Sequence, residues 1–175
     1  MIAYNAPEER PITRKLLAEY HTTTLKTWIG GYRNRPEEWT EPKNWYPEGV
    51  PGWSDKVIIG GYRSHRCHIA TGVDDVSALA ILPGAHLEIG EGGRLTVDGL
   101  LADPLGMLGD SGLSNAGHLD VRGRLTLRNA ALQGIQNQGS IHNEGKIYAD
   151  ESVSCSSSDW GDFDNYGSRI FMVSE

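Results

Sequence analysis

Four pairs of glycines, each pair six residues apart, constrain the fold of this chain more than any other feature. Gly93 and Gly99 bracket GRLTVDG, Gly117 and Gly123 bracket GHLDVRG, Gly139 and Gly145 bracket GSIHNEG, and Gly161 and Gly167 bracket GDFDNYG. The first members follow one another at intervals of 24, 22 and 22 residues. Two residues after each stands an apolar side chain: Leu95, Leu119, Ile141 and Phe163. Val97, Val121, Asn143 and Asn165 come two later, and Leu101, Leu125, Ile147 and Ile170 follow the second glycines. Alternation over such short runs is strand periodicity. No strand of this length buries a face alone, so equivalent strands must stack to enclose a core. Glycine supplies the positive φ of a tight corner, and the recurring Asn-x-Gly (Asn115, Asn137, Asn143, Asn165) fits a corner too, because asparagine also visits the left-handed region and bonds to nearby backbone. The pattern predicts an all-β chain, a short right-handed parallel β-solenoid of four to five rungs. VSALAILPGAHLEIGEGG reads as a further rung with Leu79, Ile81, Leu87 and Ile89 inward.

Composition narrows the function. The formal net charge is -7 and no local Lys/Arg cluster offsets it, which excludes a basic nucleic-acid footprint. No apolar run is long enough to span a bilayer, so no membrane insertion is expected. The opening MIAYNAPEERPITRKLLAEY lacks the basic-then-apolar order of a secretory signal, which leaves a cytoplasmic address open. Two cysteines, Cys67 and Cys155, are too few for a disulfide framework, and several strands separate them; no intrachain bridge is predicted.

Residues 28–59 differ in character from the glycine-paired part. Trp28, Trp39, Trp45 and Trp53 lie among Pro36, Pro42, Pro47 and Pro51, and DKVIIGG ends the segment as a strand. Prolines keep this stretch irregular, and the indoles are its anchors. The order Trp28-x-Gly30, Trp39, Asn44-Trp45, Pro51, Asp55 and Val57-Ile58-Ile59, followed by glycine-paired strands, resembles the opening of bacterial right-handed β-helix surface and adhesin-like repeat proteins. The resemblance implies an adhesive or scaffolding role and favours an extracellular or cell-surface location. The tryptophans read first as an N-terminal cap covering unpaired strand edges. Sugars stack on exposed indoles, so Trp28, Trp39, Trp45 and Trp53 are also candidate carbohydrate-binding residues. Three parts follow: residues 1–26 as an arm that either packs on its own solenoid as a cap or reaches a neighbouring subunit, 27–75 as the Trp-rich cap with first strands, and 76–175 as the rungs.

Clusters that carry chemistry are few. His65, Cys67 and His68 are metal-capable, but alternation divides them between two faces, and no second cluster completes a tetrahedral zinc set. Asp159, Asp162 and Asp164 offer calcium-type oxygens without the regular repeat of a calcium-binding coil, so they are only weak metal candidates. Aligning the repeats stacks Asp120, His142 and Asp164 in one outward column with Thr96 before them. One thin column reads as pairing between strands rather than as a catalytic groove; neither an enzyme nor a cofactor is expected. The C-terminal NYGSRIFMVSE keeps strand character to its last residues, and an open strand edge is a template for another chain. The function expected is a self-assembling structural subunit of a fibre, filament or surface scaffold. Its partner is a copy of itself, held by Leu16, Leu17 and Tyr20 at one end and Ile170, Phe171, Met172 and Val173 at the other. The alternative is a carbohydrate-binding or adhesive module with polysaccharide as partner.

Overall fold

A computed structural model of the chain describes residues 24–60, 66–99, 111–128, 133–149, 162–165 and 168–171. Among them the only helix is one turn of 3-10 helix, Pro42–Asn44; everything else regular is strand. No helix of the described residues is long and apolar enough to cross a membrane.

Six strands form a first, mixed sheet: β1 (Leu25–Trp28), β2 (Trp45–Tyr46), β3 (Lys56–Ile59), β5 (Ala78–Ile81), β7 (Ser111–Asn115) and β10 (Gln133–Asn137). Their order is β10-β7-β5-β3-β1-β2, parallel except for β2, which runs antiparallel to β1 and pairs Trp45 with Trp28. Eight strands form the second sheet, which is parallel and curls into a half-barrel. They are β4 (Cys67–Val76), β6 (His86–Val97), β8 (His118–Val121), β9 (Arg124–Leu127), β11 (Ser140–Asn143), β12 (Lys146–Ala149), β13 (Asp162–Asn165) and β14 (Ser168–Phe171). β6 is the hub. It pairs with β4 along its length, with a bulge between Ile69 and Thr71. Its remaining edge takes β8 from His86 to Ile89 and β9 from Arg94 to Val97. Two ladders leave from there, β8-β11-β13 and β9-β12-β14.

This arrangement corrects the expected right-handed parallel β-solenoid of four to five rungs. The antiparallel β2 makes one sheet mixed, and the other is a continuous curled sheet centred on a strand of 12 residues. The physical reason lies in HLEIGEGGRLTV. Gly93 is expected to turn the chain, but the segment stays extended through Gly90, Gly92 and Gly93 and serves both ladders itself. The repeat is therefore out of step at its start. Leu95 pairs with Leu125, whereas Leu119 pairs with Leu87 and Ile141. Gly93 lies against Gly123, which in turn lies against Gly145, and Gly117 lies against Gly139.

The inward positions of both sheets supply one core. Leu79, Ile81, Leu87, Ile89, Leu119, Ile141 and Ile147 are all buried in it, together with Trp28, Trp39 and Trp45. The three indoles meet edge to face, Trp28 to Trp45 at 5.0 Å and Trp39 to Trp45 at 4.7 Å between ring centroids. Such pairs add about 0.5–1.5 kcal/mol beyond area burial. The irregular segment that presents them is organised by Asn44, which is fully buried. Its Nδ2 donates to Arg35 O at 2.7 Å and Glu38 O at 3.0 Å, and its Oδ1 accepts from Tyr32 N at 3.0 Å.

Candidate functional site

The outward side of the second sheet gathers the ionisable side chains. On β8, burial alternates between inward Leu119 and Val121 and the half-buried His118 and Asp120. Parallel, in-register pairing turns the outward positions into columns. One runs His86, His118, Ser140; the next runs His68, Glu88, Asp120, His142; by backbone register Asp162 pairs with Ser140 and Asp164 with His142.

Each column is laced. His86 Nε2 stands 2.9 Å from Asp120 Oδ2, and His118 Nε2 stands 3.1 Å from Asp120 Oδ1. The two rings meet edge to face at 4.7 Å, and His118 Nδ1 is in contact with Ser140 Oγ. Glu88, whose side chain is only 6% exposed, forms ion pairs with Arg66 Nη1 through Oε2 and with Arg122 Nη1 through Oε1, the latter at 3.1 Å. Arg122 also reaches Glu144 at 3.2 Å, and Glu144 reaches His142 at 3.4 Å. A buried carboxylate is costly unless paired, and here it is held from both neighbouring strands.

Alignment of the repeats does bring Asp120, His142 and Asp164 together. It misplaces Thr96, which pairs with Thr126 in the other ladder; Glu88 occupies the expected position. His86 and His118 escape notice in the sequence for the same reason. The signal was present as His86-Leu87-Glu88-Ile89 against His118-Leu119-Asp120-Val121, two copies of one four-residue pattern.

The other candidate residues fall as follows. Trp28, Trp39 and Trp45 are 4%, 0% and 1% exposed, and Trp53 is half-buried. Trp28 also lines an apolar cleft of about 460 Å³ with Ile29, Ile58 and Leu82, in which Thr27 is the sole polar side chain. Cys67 is buried in the core, and His68 is on the opposite face of β4. Asp162 and Asp164 lie on β13, in register with Ser140 and His142, and Ile170 and Phe171 lie on β14. Leu16, Leu17, Tyr20, His65, Cys155, Asp159, Met172 and Val173 lie outside the described residues. Comparison of the chain with protein-family models, curated proteins and solved structures found no match in any of the three.

Proposed function

We propose that the protein is a structural subunit that associates with copies of itself through the edges of its sheets, as in a fibre or surface scaffold. One observation carries this reading. Both ladders of the second sheet keep their register to the last described strands, β13 and β14, and among the described residues nothing pairs with their outer edges. Backbone groups on such an edge are a template for another strand. The opposite end of the first sheet is different, because β2 lies on the outer side of β1. Unlike ends favour head-to-tail contact, which closes into rings or runs on as filaments. Leu16, Leu17, Tyr20, Ile170, Phe171, Met172 and Val173 remain the contact residues of this proposal. Carbohydrate binding by Trp28, Trp39, Trp45 and Trp53 has less support, since three of the four indoles are core.

The edge itself provides the test. Lys146 N donates to Gly123 O, so Lys146 and Tyr148 turn their amides toward β9, and Ile147 and Ala149 turn theirs the other way. Carried one strand on by the register Lys146↔Ser168, Arg169 directs its amide outward from β14. Arg169→Pro removes that donor while leaving the pairing with β12 intact. Sedimentation velocity over a concentration series is expected to show association in the parent, weakened about tenfold in the variant, which is near the worth of one edge hydrogen bond. A parent that stays monomeric at every concentration would sink the proposal.

A further inference from the structure

We propose that His86, His118 and Asp120 form a binding site for a divalent transition-metal ion of the zinc class. The three residues come from two adjacent strands. Register pairs His86 with His118, and Asp120, two residues on, projects from the same face. One ligand atom from each side chain lies within 4.8 Å of the other two. His86 Nε2 lies 2.9 Å from Asp120 Oδ2 and His118 Nε2 lies 3.1 Å from Asp120 Oδ1, so each ring stands at coordination distance from one of the two carboxylate oxygens. With metal–nitrogen and metal–oxygen bonds of about 2.0–2.2 Å, neighbouring ligand atoms stand about 3.3–3.6 Å apart in a tetrahedral site and about 3 Å apart in an octahedral one. Both imidazoles therefore aim Nε2 at the place a metal would occupy, each against a different oxygen of one carboxylate. In that state the metal replaces whatever proton lies between ring and carboxylate.

The surroundings fit the same use. His118 Nδ1 rests on Ser140 Oγ, the outer contact that orients a ligating imidazole. Asp120 is held close, its side chain 15% exposed, while His86 and His118 at 33% and 45% leave a solvent approach for water ligands. Glu88 and Arg122 on the neighbouring positions are committed to ion pairs with each other. Two imidazole nitrogens with one carboxylate and no thiolate select zinc, cobalt or nickel over calcium and magnesium, which take oxygen ligands. His142 is the register partner of Asp120 one strand further.

The full chain, stripped with EDTA, is titrated with Zn²⁺ by calorimetry, and with Co²⁺ while visible absorption is recorded. One Zn²⁺ per chain is expected, with ligand-field bands for Co²⁺ and no heat from Ca²⁺. His86→Gln, His118→Gln and Asp120→Asn, each chosen for similar shape and checked by far-UV circular dichroism, should each lower Zn²⁺ affinity at least about tenfold. His68→Gln, a histidine outside the cluster, should leave it unchanged. A parent that binds no stoichiometric Zn²⁺, or that keeps its affinity in all three variants, overturns the proposal. The Co²⁺ spectrum of the parent decides the matter should the variants fail to fold.

Discussion

An added Cβ at Gly117 would stand 2.5 Å from the carbonyl oxygens of both Ala85 and Leu82, and 2.9 Å from Ile81 Cγ2. Two of those neighbours are backbone atoms of an adjacent strand layer, which cannot swing aside. Gly117→Ala is therefore expected to cost at least about 3 kcal/mol, at the upper end of overpacking penalties. Gly60→Ala is the contrast. Nothing lies within 4 Å of its added Cβ and its φ is not left-handed, so the change should add between zero and about 1 kcal/mol of stability. Urea unfolding of both variants beside the parent measures the difference, and equal midpoints would remove close approach as the reason for glycine. The sequence locates these corners but suggests the wrong cause. Close approach and left-handed backbone both select glycine and so leave the same letter behind. Of the paired glycines described, only Gly99, at φ 48°, is left-handed. Of the two reasons for the asparagines, bonding to nearby backbone is the one observed: Asn115, Asn137 and Asn143 accept through Oδ1 from the amide two residues on, at 3.2, 3.2 and 3.1 Å.

β6 shows how a single element decides what the sequence can reveal. Inward positions such as Leu87, Ile89 and Ile141 are legible, because period-two alternation survives any error in register between strands. Register itself is not, since Gly93 in GEGGR reads as a corner while the strand runs through it. That one slip hides Glu88 beside Asp120, and with it the His86–His118 pair. Glu88 also supplies a test at this scale. Arg66 precedes β4 and Arg122 follows β8, so the carboxylate on β6 is clamped from the two strands that flank it. Replacing either arginine with alanine leaves the other in place and should cost about 1 kcal/mol. Replacing both leaves a buried charge uncompensated and should cost about 3–5 kcal/mol. A double-mutant cycle by denaturant unfolding is expected to be strongly non-additive. Simple additivity would mean that Glu88 is solvated rather than clamped.

For the molecule as a whole, the question is whether the Trp-rich segment folds with the glycine-paired strands or beside them. Composition suggests a division near residue 75, because proline and tryptophan crowd one side and glycine pairs the other. The packing unites them. Trp28, Trp39 and Trp45 belong to the same buried cluster as Leu87, Leu119 and Ile147. β1 and β3 share a sheet with β5, β7 and β10, and His68 N and O bond across to Glu37 O and Trp39 N at 2.7 and 2.9 Å. A cap held by its own contacts would melt at lower denaturant than the strands it covers. A shared core gives one transition. In a Trp160→Phe background, fluorescence reports Trp28, Trp39, Trp45 and Trp53 alone, while far-UV circular dichroism reports the strands of both sheets. The two urea curves are expected to coincide in midpoint and slope. Trp45→Phe removes the indole N–H that donates to Trp39 O at 2.7 Å and one partner of both aromatic contacts. It should lower both curves together, by about 1–3 kcal/mol. An earlier fluorescence transition, with the dichroism curve unmoved by Trp45→Phe, would separate the two parts and return the tryptophans to the role of an independent module.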